Sequence, residues 1–312
     1  METQFIASLR ALASSVAARG LADDAAVLEI GGTRLVLTHD MLVEGVHYLP
    51  DDPPEDVAWK LVAVNLSDLA AKGAKPLGVL MGYVLGEAAW DRAFAEGLGA
   101  ALGRFGVALL GGDTVAAPPG TARVLGLTAL GEAKGPVPAR AGVRAGDALF
   151  VSGTIGDAGA GLRSLKGELP ASPPLAARYR RPEPRLAAGE ALAPLVSAMM
   201  DVSDGLLIDA GRMAAVSGVR IALDLARLPL SAAYRGCAGA DRAARFAAAT
   251  AGDDYELLFA VPPERAATVA ALSDLLELPL THIGDASPGT GLALFDGGEA
   301  LPLPARLGWE HG

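Results

Sequence analysis

Phe5, Leu9 and Leu12 recur at helical spacing and predict a helix over residues 4–18. Two short apolar runs follow, AAVLEI and TRLVLTHD, and predict a hairpin. Its turn is Gly31-Gly32, because glycine tolerates positive φ at both central positions. PEDVAWKLVAVNLSDLAA is a long helical pattern from Pro54 to Ala71, with Gly73 as its stop. PLGVLMGYVL predicts a strand. AAWDRAFAEGLGAALGRFG predicts a second long helix, with Trp90, Phe94, Leu98 and Leu102 on one face. VALLGGDTVA and TARVLGLTALGEA predict two further strands.

Prolines and glycines crowd GPVPARAGVRAGD, so a domain boundary is expected between residues 135 and 147. The expected division is an N-terminal domain over 1–138 and a C-terminal domain over 139–312. DALFVSGTIG predicts the first strand of the second domain. Residues 157–198 read as mostly helical, and DVSDGLLIDAGRMAAVSG as a loop running into a helix. VRIALDLARLPL predicts a strand. DRAARFAAATAGDDYELLFAVP reads as helix, acidic turn and strand, and THIGDASPGTGLALFDGG as closing strands. Strands and helices mix without a regular βαβ rhythm, which predicts an α+β fold in two domains.

Composition narrows the possible functions. A hydrophobic fraction of 51% and a mean hydropathy of +0.35 supply a core, while 5% aromatics predict tight packing of small side chains. The net charge of −10 comes with no basic stretch long enough to track a phosphodiester backbone, so no nucleic-acid partner is expected. No apolar run reaches the length of a membrane span and the N-terminus does not read as a signal peptide, so a cytoplasmic chain is expected. The single cysteine, Cys237, excludes an internal disulfide and a thiolate cluster, and reads as a loop residue. There is no P-loop and no GxGxxG after a strand.

The aspartates carry the chemical signal. Asp23-Asp24, Asp40, Asp68, Asp113, Asp201, Asp204 and Asp253-Asp254 each adjoin an apolar run and a glycine, serine or threonine. One such site is explained by capping of a helix or turn. So many without a matching cluster of lysine or arginine point to hard cations, which prefer oxygen ligands and bridge to phosphates. The stretch LTHDMLVEGVHY adds His39 and His47, two of the chain's four histidines, beside Asp40.

GLADDAA, LTHDMLVEGVHY, KLVAVNLSDLAAKGA, LLGGDT, DVSDGL and AGDDYELLF, in this order, resemble the thiamine-monophosphate kinase family, within the superfamily of aminoimidazole ribonucleotide synthetase and selenophosphate synthetase. The resemblance covers essentially the whole chain. It implies two α+β domains, with the N-terminal sheets of two subunits pairing into a shared barrel. It implies transfer of the γ-phosphoryl of ATP to thiamine monophosphate, with several Mg²⁺ ions and no covalent intermediate. By position, Asp24, Thr38, His39, Asp40, Asp68, Asp113, Asp201 and Asp204 fall at metal sites. Gly112, Arg140 and Ser203 match ATP contacts. His47, Asp253 and Trp309 match acceptor contacts. No nucleophile or general base is implied.

The chain departs from the family in four places. His39 stands where threonine is usual, Asp253 where glutamate is usual, and Ala22 where a glycine precedes the paired aspartates. The closing GWEHG lacks the final phenylalanine. Ala22 therefore predicts a turn that avoids positive φ. Asp23 is expected to shape that turn, Lys60 and Lys72 to be solvated or paired, and Trp59, Trp90 and Phe94 to pack. His282 is assigned no role. Another ATP-dependent superfamily member and a non-catalytic dimeric scaffold are the competing readings.

Overall fold

The computed structural model describes residues 2–118 and 120–310. His311 and Gly312 of the closing segment lie outside the described residues. The first helix, α1 (Glu2–Arg10), is shorter than its apolar spacing suggests. Ser15 starts a separate 3-10 turn over Val16–Leu21 by accepting the Ala17 N–H, a side-chain bond that competes with helix continuation. Ala22 itself sits at φ −121, but the turn does not avoid positive φ as expected: Arg19, Gly20 and Leu21 just before it lie at φ 48, 65 and 50.

β1 (Ala26–Ile30) and β2 (Thr33–Val43) form the hairpin, with Gly31 at φ 59 and Gly32 at φ 84. α2 (Pro54–Ala71) starts on a proline whose missing N–H costs nothing there, and Glu55 and Asp56 face its positive end. β3 (Lys75–Leu85), α3 (Ala88–Phe105), β4 (Ala108–Ala116) and β5 (Val124–Ala133) complete the first half. The sheet order is β1-β2-β5-β3-β4, and only β3 and β4 are parallel, joined through α3. Val36, Leu42, Leu125 and Leu127 meet Leu61, Val62, Leu66 and Phe94 in a buried core.

Side chains alternate along a strand, so the other face of this sheet holds His39, Met41 and Leu80, all exposed. β4 is an edge strand exposed along its whole length, with Leu109, Leu110 and Val115 about half exposed.

The second half begins with β6 (Ala148–Ser152), α4 (Asp157–Leu165), α5 (Pro173–Arg180) and α6 (Leu186–Leu192). β7 (Ala198–Asp201), α7 (Leu206–Ser217), β8 (Arg220–Asp224) and α8 (Ala232–Ala238) follow. α9 (Arg242–Thr250), β9 (Leu257–Val261), α10 (Ala266–Leu275), β10 (Leu280–Ser287), β11 (Gly291–Asp296) and β12 (Glu299–Leu301) complete it. These strands form a mixed sheet of order β12-β11-β8-β10-β6-β9-β7. Three local expectations change. Residues 198–201 form a strand, α10 was not anticipated, and Cys237 lies half-buried in α8 and not in a loop.

The two halves meet along α2 and α6. A Cβ at Gly189 would lie 1.9 Å from the Ala70 carbonyl oxygen, so only glycine permits this approach. The architecture is α+β, as expected. Among the described residues no helix is long and apolar enough to cross a membrane.

Candidate active site between the two sheets

The site is assembled by α2, which carries polar residues inside an apolar helix. Asn65, Ser67 and Asp68 are buried in it. The Asn65 side-chain oxygen accepts the Asp40 N–H at 2.9 Å, fixing the helix to β2. The Ser67 hydroxyl donates to Asp201 Oδ2 at 2.6 Å, fixing it to the end of β7. The Thr38 hydroxyl donates to Asp68 Oδ2. Asp24 enters from the turn before β1. Carboxylate oxygens of Asp24, Asp68 and Asp201 all lie within 4.8 Å of one another.

These carboxylates open onto a cavity of about 640 Å³. Asp40, Arg140, Ser203 and Asp204 line it near the cluster, and His47, Asp253 and Trp309 also border it. Most of the site residues expected from sequence thus share one cavity between the two halves.

Cations hold part of the acidic cluster. Lys72, fully buried, lies 2.6 Å from Asp24 Oδ2, and Arg140 binds Asp24 Oδ1. Burial works against the Asp24 charge, but Lys72 and Arg140 outweigh it and its pKa is lowered. Asp23 is the organiser of this corner. It accepts from Arg19, Lys72 and the N–H groups of Asp24 and Arg140.

The rest of the cluster lacks such compensation. Burial and then the Asp24 and Asp204 charges push Asp40 up to about 6. Burial, with Asp40, Asp201 and Asp24 nearby, raises Asp68 well above the usual carboxylate range. Burial and the Asp24 charge do the same to Asp201. Asp209 is pushed up to about 7 by burial and by Asp204, although Arg212 pairs with both acids. Closely spaced buried carboxylates with raised pKa values and oxygen-only donors fit a hard divalent cation.

A pH dependence follows. Asp40 and Asp209 have folded pKa values above the unfolded one near 4, so their protonation stabilises the folded chain. That contribution is complete below about pH 4 and is lost as pH rises through 6 and 7. Asp24 acts in the opposite sense, but its window lies below pH 4. Melting in EDTA is therefore expected to weaken by a few kcal/mol between pH 5 and pH 8, and added Mg²⁺ to raise Tm more at pH 8 than at pH 5. Calorimetry across that range checks both; a larger Mg²⁺ effect at pH 5 would contradict them.

Four sequence expectations do not line the cavity within one chain. Thr38 is buried and reaches the cluster only through its hydroxyl on Asp68. The His39 ring lies on the sheet face opposite Thr38 and Asp40, with Nδ1 2.8 Å from the Thr128 hydroxyl. This is the consequence of strand alternation. Gly112 and Asp113 lie on the exposed edge β4. Gly111 is the cross-strand neighbour of Leu80, and Leu80 of Thr128 beside His39, so Asp113, two residues on, also faces away from Asp40 and Asp68. A three-way cluster of Asp40, Asp68 and Asp113 does not form in a single chain.

Sequence reading also missed Lys72, Arg212, Asp209 and Tyr255 as parts of the site. The available signal was the interrupted apolar pattern of α2, in which Lys60, Asn65, Ser67, Asp68 and Lys72 punctuate AWKLVAVNLSDLAAK.

Residues 22–133 match the model of the AIR synthase related protein N-terminal domain, and residues 144–297 that of the C-terminal domain. The thiamine-monophosphate kinase of Caulobacter vibrioides is 41% identical over 303 residues, covering 94% of this chain and 85% of that protein. The chain belongs to the thiamine-monophosphate kinase family. A solved structure of AaThiL complexed with AMPPCP and TMP superposes with a TM-score of 0.86 at 32% identity, covering 100% of this chain and 97% of that one. The thiamine-monophosphate kinase from Stenotrophomonas maltophilia K279a gives 0.79 at 38% identity, covering 96% of each chain.

The backbone around Asp253 is unusual. Asp253 sits at φ 69 and Tyr255 at φ 51, both in the left-handed region that side chains with a Cβ avoid. The tertiary structure enforces this. The Asp253 N–H donates to the Ser203 carbonyl and the Tyr255 N–H to the Val202 carbonyl, each at 2.8 Å. The loop that carries Asp253 is thereby tied to the loop that carries Ser203 and Asp204.

Proposed function

We propose that this chain transfers the γ-phosphoryl group of ATP to thiamine monophosphate, giving thiamine diphosphate and ADP. The carrying observation is the single cavity that buried Asp24, Asp68 and Asp201 line together with Arg140, Ser203, His47, Asp253 and Trp309. Kinship with thiamine-monophosphate kinases over nearly the whole chain supports the same reading.

Asp24, Asp68 and Asp201, with Asp40 and Asp204, would hold Mg²⁺. When bound, the ions supply positive charge against the phosphates and stabilise charge on the transferring group. Arg140 and Ser203 would bind the ATP phosphates. His47, Asp253 and Trp309 would bind the acceptor, with the indole covering its ring system. His47 Nδ1 accepts the Val43 N–H at 3.0 Å, so the neutral ring carries its proton on Nε2 and acts as a donor, not a base. No base is required. The acceptor oxygen of a phosphate monoester is already mostly deprotonated near neutral pH. Positioning and electrostatics supply the rate.

The working form in this proposal is a cytoplasmic homodimer built through the first sheet, with residues 1–138 as the dimerisation and metal domain and residues 139–312 completing the site. The fully exposed edge β4 and the apolar face bearing Met41 and Leu80 support it. Gly112 and Asp113 then enter an active site from the partner copy.

The test of function compares acceptors. At saturating ATP and Mg²⁺, kcat/KM for thiamine monophosphate is expected to exceed that for thiamine by at least about a hundredfold. Free thiamine presents an alcohol with no base to take its proton and leaves phosphate-binding groups unfilled. Phosphorus NMR identifies the product. Comparable values for the two acceptors would refute the reading.

A further inference from the structure

Lys60 is a buried cation that lies outside the metal and phosphate-binding groups. It projects from α2, and its side chain is 2% exposed. The ammonium donates to the His47 carbonyl oxygen at 2.8 Å and to Asp253 Oδ2 at 2.8 Å. It also stands 4.0 Å from the centroid of the Tyr179 ring, on α5. Two of its bonds thus reach oxygens and the remaining face meets an aromatic surface, which satisfies a buried ammonium. The other Asp253 oxygen accepts the Tyr255 hydroxyl at 3.1 Å, so the carboxylate is held at both ends.

The partners come from distant parts of the chain. His47 lies in the loop after β2, and Asp253 lies 193 residues beyond Lys60 in the loop before β9. A buried lysine is costly unless paired, and a solvent-facing pair would be cheaper for a purely structural link. Here the charge is spent on two loops that both line the cavity.

We propose that Lys60 is a positioning residue of the acceptor pocket: by binding the His47 carbonyl and the Asp253 carboxylate together, it fixes in one geometry the two loops that grip the acceptor. This rests on the functional reading above, in which those loops contact thiamine monophosphate. It also accounts for an aspartate at position 253. With Lys60 and Tyr255 holding its oxygens, the short side chain is kept at a set depth and does not search for the ligand.

The test separates acceptor from nucleotide. Turnover of thiamine monophosphate by the unsubstituted chain first establishes the function independently. Lys60→Met, which keeps length and apolar bulk, is then expected to raise KM for thiamine monophosphate about tenfold or more and to leave KM for ATP within about twofold, the scale of coupling between contacting charged groups. Because the effect runs through Asp253, the same substitution in the Asp253→Asn background should raise acceptor KM by less than about threefold. Parallel changes in both KM values, an unchanged acceptor KM, or a full effect in the Asp253→Asn background would each overturn the proposal. Should Lys60→Met fail to fold, Lys60→Gln, which retains a donor, is read by the same two KM values. An insoluble Lys60→Gln would assign the residue a structural role alone and also overturn it.

Discussion

Asp68→Asn is expected to lower turnover by about three orders of magnitude while leaving the metal-free chain at least as stable as before. The two halves of this result have one cause. Asp68 is buried among Asp24, Asp40 and Asp201, and its carboxyl is held well above the usual range. Ionising it without a cation is costly, so the neutral amide removes a burden at pH 8, on the order of 1 kcal/mol. The amide oxygen can still accept the Thr38 hydroxyl that Asp68 accepts now. With Mg²⁺ and ATP the balance reverses, because the amide is a poor partner for a divalent cation and the transferring group loses charge stabilisation worth several kcal/mol. The measurements are kcat across a Mg²⁺ titration and Tm with and without Mg²⁺. Near-normal turnover at low Mg²⁺ would remove Asp68 from the metal site. A large loss of Tm in EDTA would show that the fold needs the charge.

Two inactive chains are expected to regain activity when mixed. Asp68→Asn disables the metal cluster of its own chain. In the proposed dimer, Asp113→Asn disables the group that would serve the site of the partner copy. At equal mixing about half the dimers are mixed, and in each of these one site inherits both substitutions while the other inherits neither. About a quarter of all sites are then intact, against a background lower by orders of magnitude for either variant alone. If Asp113 acted within its own chain, no site in a mixed dimer would be whole and mixing would restore nothing. A charge on the exposed strand, as in Val115→Glu, should separately drive the equilibrium to monomer and abolish turnover, read by sedimentation and assay on the same sample.

The pattern of apolar and polar positions carried much of the fold. α2 ends one residue before Lys72, next to the glycine read as its stop, and the Gly31-Gly32 hairpin forms as its composition requires. Both rest on local chemistry. α10 escaped because AATVAALSDL is apolar on nearly all sides and offers no polar face to define a period. The predicted first helix overran: α1 ends at Arg10, and Ser15 opens a separate 3-10 turn. In the site, the aspartates were legible because an acid beside an apolar run is conspicuous. Their partners were not. Lys72 meets Asp23 across 49 residues and Lys60 meets Asp253 across 193, and no local pattern specifies such pairings. The sidedness of Asp113 depends on strand register, including the irregularity between Val79 and Leu80, which appears only in the folded sheet.

The exposed edge β4 has a consequence for the newly made chain. In the single chain, Ala108-Leu109-Leu110 and Val115-Ala116 face water on a strand with open pairing positions, the geometry from which aggregates nucleate. Gly111, Gly112 and Asp113 interrupt that run with two residues of poor strand propensity and a charge, which is how sequences guard an unavoidable apolar strand. Gly112 cannot be exchanged for a better strand former, since a Cβ there would lie 1.9 Å from the Met81 carbonyl oxygen. A motif read first as a nucleotide and metal contact is therefore also a safeguard of solubility.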